Sequence, residues 1–496
     1  MPPQIKKNII AKSVLSLLNI AVPILIGPYI IRVLDIDLYT EFNKSLSLLA
    51  WFFPFAVFGV SNYGLREISR IRNDRDQVNI VFSEYFFINI LTSSVIFIIY
   101  LLFILLFISP SGIYFYIYFI ISSQILFSFL GVEYVNEAFE NYGFILYKNI
   151  ILRIFYVIFI FLFVRKSMDI INYALISTIT ALLSNIISFI YIKKTISLVR
   201  VFLTNLKKIV KKLFIILLLF NSSMLYTTLD RLFLSLFTKT HDITYYAITQ
   251  NILTALLSVF LSIILVTIPR LSYYYSNRLL KEFENLLSKS SSLFYLLFIP
   301  SCVGICLLSN QIMLLYGGER HIDSGPILGI FSLYFILIAV DNVASKQILF
   351  VTGRERLLTK IFFIGGFINL AGNILLLYLD KLTAVNVIIT TMISEIFVVV
   401  IEQYYIRKIN KNYAINKQFI KYILLAAVLF YLAIRLILPE LNITYSTIKE
   451  QIIYLGIAIT ICIVLYSFSL LLVHDKIFLV LLADIKKYLN IRKNHN

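Results

Sequence analysis

The chain has 496 residues, of which 60% are hydrophobic and 14% charged, and its mean hydropathy is +0.90. Soluble domains lie near about 45–50% apolar, so these proportions exclude a soluble globular enzyme and place the chain in a bilayer. The net charge of +18 would invite a nucleic-acid partner in a soluble protein, but it is scattered over short segments between apolar runs and gives no support to one.

A hydrocarbon core about 30 Å thick needs about 20 apolar residues per helix. Runs of that length predict fourteen spans, near 9–31, 44–64, 80–107, 114–132, 144–164, 170–192, 213–237, 244–268, 290–315, 325–347, 358–379, 384–406, 419–438 and 451–473. The first run follows Lys6 and Lys7, but it is too long for a signal peptide, contains Pro23 and Pro28, and lacks a small-residue cleavage site. It reads as a retained span, and its two prolines predict a kink.

Lys and Arg concentrate on one side of short membrane-protein loops. Here 32 of the 44 fall on the segments that share a side with the N-terminus and nine on the opposite side. Both termini are therefore expected in the cytoplasm, and the basic face is expected to meet anionic lipid headgroups. The most basic segment is the linker 193–212. Across Ile192–Leu213, apolar residues recur at steps of three and four between Lys193, Lys194, Arg200, Lys207, Lys208, Lys211 and Lys212, which predicts an amphipathic helix on the inner leaflet.

The resulting fold class is an all-α integral membrane protein. Its expected organisation is an N-terminal lobe of six spans (1–192), the linker (193–212), a second six-span lobe (213–408), and a final helix pair with a tail (409–496). Two lobes of equal span number suggest pseudo-symmetry about an axis along the membrane normal, with a substrate path between them.

Charges within spans are costly and usually face a cavity or a partner. They are Arg153, Asp230, Arg231, Asp341, Lys346 and Glu395, with Arg32, Arg66, Glu84 and Arg270 nearer span ends. Asp230 and Arg231 point about 100° apart on a helix, so at least one should face an interior. Cys302, Cys306 and Cys462 lie in spans with no histidine close in sequence, and the four histidines are scattered. They read as packing residues, and no metal or cofactor is expected. The absence of a G-x-x-x-x-G-K-[ST] loop, an H-E-x-x-H helix or a G-x-S-x-G elbow favours transport over chemistry.

The segment FGVSNYGLREISRIRNDRDQVNIVFSE (Phe58–Glu84) resembles the first cytoplasmic loop of bacterial polysaccharide repeat-unit flippases, the O-antigen (Wzx-type) exporters. GPYIIRVL (Gly27–Leu34), GVEYVNEAFENY (Gly131–Tyr142), LDRLFLS (Leu229–Ser235), PRLSYY (Pro269–Tyr274), KQILFVTGRERLLTK (Lys346–Lys360) and ISEIFVVVIEQYYIRK (Ile393–Lys408) resemble the same family in the same order. Asp35, Tyr39-Thr40 and Leu379–Ala384 depart from its pattern. The family belongs to the multidrug/oligosaccharidyl-lipid/polysaccharide exporters, and many members have twelve spans.

The resemblance implies movement of an undecaprenyl-diphosphate-linked oligosaccharide from the inner to the outer leaflet of the cell inner membrane, for O-antigen or another surface polysaccharide. A polysaccharide polymerase and a chain-length regulator would be its protein partners. An anionic, hydrated head needs a polar and preferably cationic cavity. Arg66, Arg153, Arg231 and Arg270 are the candidates, because a guanidinium holds phosphate through two parallel hydrogen bonds. Asp230, Asp341 and Glu395 are candidates for coupling an ion. The alternatives are a drug/cation antiporter of the same superfold, whose pocket should be acidic and aromatic, and a membrane polymerase or glycosyltransferase, which should carry a large outer loop.

Overall fold

The computed structural model describes residues 22–23, 25–108, 111–200, 209–214, 217, 224–238, 240–415, 417–440 and 447–483. Among these there are helices and no strands, as hydrocarbon demands of any chain that cannot close a barrel. Twelve helical segments are long and apolar enough to cross a membrane. They correspond to every expected span except the first and the seventh, which fall in part outside the described residues. Of the two prolines expected to kink the first span, Pro23 adjoins residue 24, which lies outside the described residues, while Pro28 stands within a helical stretch over 25–33.

The chain forms two compact units: residues 1–247 with 377–383, and residues 248–376 with 384–496. This division differs from the boundary expected at 193–212. The helix Met224–Phe237 of the seventh span packs on Ile36–Val57 and joins the first unit. Residues after 409 join the second unit and do not stand apart.

In the first unit we label α1 (Ile36–Val57), α2 (Val60–Ile71), α3 (Arg75–Phe103), α4 (Ile113–Leu126), α5 (Glu133–Ala138), α6 (Tyr142–Phe163), α7 (Ile170–Ile192) and α8 (Met224–Phe237). The second and fourth spans are each broken. Asp35 starts α1 by accepting the Asp37 and Leu38 amides, and Phe58 ends it at φ +51°, followed by Gly59 at φ +74°. Such left-handed residues halt a helix. The short half-helices α2 and α5 then pack together. Val60, Gly64 and Ile68 form one buried stripe of α2 at four-residue spacing. A Cβ on Gly64 would overlap the Tyr134 ring of α5. Gly64→Ala should therefore cost about 1–3 kcal/mol, as overpacking does. A lower melting temperature of the detergent-solubilised variant checks this, and an unchanged one refutes it.

The second unit contains most of α9 (Asp242–Ser276), then α10 (Leu280–Leu307), α11 (Ser324–Asn342), α12 (Glu355–Tyr378), α13 (Ala384–Ile409), α14 (Lys417–Leu432) and α15 (Ile448–Leu472). Helix α11 packs against both α10 and α13, and 72% of its most apolar stretch is buried. That explains a near-continuous apolar sequence with no polar face. A π-helical turn, Val343–Leu349, extends it. Such turns mark local departures from regular bonding and occur often at functional sites.

The linker is not one helix over Ile192–Leu213. Helix α7 ends at Ile192, and residues 196–200 have no helical bonding. The Ser197 amide donates to Asn79 Oδ1 (2.9 Å) and the Val199 amide to Ser83 Oγ (2.9 Å). These side chains of α3 capture donors that a helix would have used. Residues 201–208 lie outside the described residues, and helical structure is present over 209–214.

Candidate functional site

In the first unit, polar side chains gather along one stripe of α1. Tyr39, Asn43 and Ser47 follow one another at four-residue spacing and so share a face. The Arg231 guanidinium of α8 donates to Ser47 Oγ at 3.3 Å through Nε. Its charge also reaches the hydroxyls of Tyr39 and Tyr246. Tyr39 in turn lies beside Tyr156 of α6, and Tyr156 interacts with Tyr173 and with Arg153, three residues earlier on its own helix. Tyr39 and Tyr173 rings are 6.3 Å apart. Arg153 and Arg231 are thus the two ends of one array of tyrosines, and both are half-buried. A half-buried guanidinium acts in surroundings that screen it less than bulk water, which strengthens its attraction for an anion.

The neighbour of Arg231 behaves differently. Asp230 is fully buried and accepts from the Tyr246 hydroxyl at 3.1 Å. The two adjacent charges point into different surroundings, as their helical offset predicts.

A second charge lies deeper in the same unit. Lys148 of α6, counted above among the basic residues on the side of the N-terminus, is buried. Its ammonium pairs with Glu133 of α5, donates to Ser188 Oγ at 2.8 Å, and lies 3.3 Å from the Ser184 carbonyl of α7. All three donors of an ammonium are satisfied, which is what permits its burial. The pair ties the short half-helix to its neighbours.

The second unit holds the carboxyls. Asp341 and Lys346 stand on α11 and the turn that extends it, and Lys346 bonds to Asn342. Glu395 and Glu402 are buried on α13, two turns apart on one face. Asp341 feels the charge of Lys346 and the side chain of Glu402. Gln347 bonds to Thr267 (2.7 Å) and Ser290 (3.0 Å), fixing the turn against α9 and α10.

Among the expected anion-binding residues, the structure brings Arg153 and Arg231 into one array. Arg66 is exposed on α2. Arg270 belongs to the second unit, is exposed, and donates to its own helix neighbour Tyr274 at 2.7 Å. Among the expected acids, Asp341 and Glu395 lie in one cluster and Asp230 lies in the other unit. Glu402 and Lys148 were missed. The seven-residue step from Glu395 was a legible signal for Glu402. Nothing in local sequence distinguished Tyr39, Tyr156, Tyr173 and Tyr246 among 33 tyrosines.

An all-helical chain whose polar groups gather inside its spans is a multi-pass membrane protein of the transporter type, and its fold has solved counterparts. The inward closed lipid II flippase MurJ superposes with a TM-score of 0.69 at 17% identity, over 93% of this chain and 98% of that one. An outward-facing multidrug resistance MATE transporter of the MOP superfamily superposes at 0.55 and 13% identity, over 81% and 95%. These likenesses establish the fold. The chain belongs to the polysaccharide biosynthesis protein family, whose profile matches residues 5–274. A Shigella dysenteriae protein provisionally named an O-antigen transporter is 23% identical over 403 residues, which span 79% of this chain and 98% of that protein.

Proposed function

We propose that this protein moves a lipid-linked oligosaccharide across the cytoplasmic membrane, delivering an undecaprenyl-diphosphate-linked repeat unit from the inner to the outer leaflet for surface polysaccharide synthesis. The observation that carries this reading is the Arg153–Tyr156–Tyr39–Arg231 array, in a chain of the polysaccharide biosynthesis family. Two half-buried guanidiniums suit a diphosphate, and tyrosine hydroxyls suit the sugar hydroxyls beside it. A cationic drug would find repulsion at the same place. The protein acts by binding and movement, with no bond made or broken.

Arg66 and Arg270, both exposed, remain candidates for first contact with the anionic head. With the cytoplasm negative, moving two negative charges outward gains roughly 4–5 kcal/mol per 100 mV, at about 2.3 kcal/mol per charge. Asp341 and Glu395 are the ion-coupling candidates of the second unit, and Asp230, engaged by Tyr246, is the weaker one. Proteoliposomes separate the two energy sources: transport should slow when both potential and ion gradient are collapsed. Equal rates without either would sink both accounts.

The basic segments support a topology with both termini in the cytoplasm and with anionic lipids against that face. A fluorescent reporter fused after Asn496 should light up while an alkaline phosphatase fusion at the same point stays inactive. The opposite pair of results would invert the topology. A polymerase and a chain-length regulator are the protein partners of such a step.

A further inference from the structure

The buried acids of the second unit share a neighbour, Tyr295, with a cavity. Glu395 and Glu402 are 4% and 0% exposed, and no hydrogen-bond donor group reaches Asp341 Oδ1, Glu395 Oε1 or either oxygen of Glu402, while the Asp341 and Glu402 carboxyls lie close enough to share a proton. An unpartnered buried carboxylate is expensive, so this arrangement needs a ligand that shares the charge. Among the described residues no group of three or more His, Cys, Asp or Glu is arranged to hold a metal ion. Lys346 offers its charge to Asp341, which leaves the two glutamates.

The acids do not line the cavity of about 300 Å³ in this unit, but Tyr295 reaches both the cavity and the acids. The cavity wall includes Ser288, Ser291 and Tyr295 of α10, Ala344 of the π turn, and Gln403 of α13, and it reaches Lys411 and Asn412 after α13. Residues 406–421 lie on the side that the charge bias assigns to the cytoplasm. The Tyr295 side chain is 2% exposed. It lines this cavity and lies within electrostatic reach of Glu402 and Asp341. On its other flank the Phe419 ring of α14 packs edge-on at 5.2 Å. The charged groups around the cluster are therefore Asp341 and Lys346 from α11 and its π turn, and Glu395 and Glu402 from α13. Tyr295 comes from α10, and Lys411 stands at the cavity rim.

We propose that Asp341 and Glu402 form a proton site loaded from the cytoplasmic side through this cavity, with Tyr295 relaying the proton from the cavity to them. The relay balances without another reactant. A hydronium in the cavity gives its proton to the Tyr295 oxygen, and the hydroxyl proton passes to the Glu402 carboxylate. Tyrosine is regenerated, water is left behind, and one negative charge is neutralised. This rests on the ion-coupled reading of the proposed function.

The test separates the two. Purified full-length protein in phosphatidylcholine vesicles is treated with dicyclohexylcarbodiimide, which reacts with protonated carboxyls in apolar surroundings, and adducts are located by peptide mass spectrometry. The Glu402 adduct should fall about tenfold per pH unit beyond its midpoint. Ser291→Cys should react with an impermeant maleimide in inside-out vesicles and not in right-side-out ones. Proton uptake after a pH jump, followed by a trapped dye, should be about tenfold or more slower in Tyr295→Phe, and restored toward wild type in Tyr295→His, which keeps a group that can pass a proton. No Glu402 adduct at any pH, labelling of Ser291→Cys only from the other side, or unchanged uptake in Tyr295→Phe would each overturn the proposal. None of these readouts needs the transported substrate. Positive results in a protein that fails to support surface polysaccharide would therefore leave the proton site standing and remove the flippase reading.

Discussion

Arg231→Ala is expected to lower surface polysaccharide by about ten- to a hundredfold while the protein stays in the membrane at normal level. The magnitude follows from the loss of a charge-assisted hydrogen bond, about 1.5–3 kcal/mol, at about 1.4 kcal/mol per factor of ten. Arg231 is tied to its surroundings by a long 3.3 Å bond to Ser47 and by the nearby tyrosine hydroxyls. Among the described residues little of the guanidinium's donor capacity is spent on the fold, so its removal should leave the helices in place. Arg231→Lys keeps the charge and loses the fork, and should recover only part of the activity. Arg153→Ala should act in the same direction, because it closes the other end of the array. Surface polymer measured in cells lacking the wild-type copy, normalised to membrane protein, reads the result. Wild-type polymer in both alanine variants would remove the array from the mechanism.

Glu133→Ala should be the most damaging change to stability. It strands an ammonium whose side chain is 1% exposed. Breaking a buried pair by removing one partner costs about 3–5 kcal/mol. Here the lower part of that range applies, because the Glu133 side chain is 36% exposed and water shares its charge. Ser188 and the Ser184 carbonyl would still accept from Lys148, yet neither carries a compensating charge. Adding Lys148→Met to the variant removes the stranded charge and keeps much of the volume, so the double change should be more stable than Glu133→Ala alone. Thermal unfolding in detergent, followed by size-exclusion, distinguishes them. If the double variant is the less stable, the pair holds the fold by packing and not by charge.

The consequence for function lies in where the pair sits. Lys148 joins α5, α6 and α7, and α6 also carries Arg153 and Tyr156. Its loss should therefore disturb the array as well as the fold. A fall in transport greater than the fall in protein level would show that coupling.

Span positions followed from sequence wherever a long apolar run had polar ends. The sixth span was expected over 170–192 and is Ile170–Ile192, and the twelfth begins at Ala384 as expected. Breaks within spans did not follow, because Phe58 adopts a left-handed conformation that its side chain does not announce. The linker shows the opposite failure. Its apolar spacing satisfied a helix, but Asn79 and Ser83, more than a hundred residues earlier, took its amide hydrogens. Periodicity reports what a segment could bury and is silent about such distant competitors.

The sequence by itself determined the solvent, the all-helical class and the few charges worth watching. Each of these depends on local composition and on the cost of a polar group in hydrocarbon, which applies at every residue regardless of its partners. Only the tertiary structure decided which charges meet. It joined Arg153 to Arg231 through tyrosines, buried Lys148 against Glu133, and set Glu402 beside Asp341 and Tyr295. It also divided the chain inside α9, because the packing of α8 on α1 outweighs its place in the sequence. Such pairings depend on helix rotation and on contacts between residues far apart in the chain, and a one-dimensional pattern carries neither.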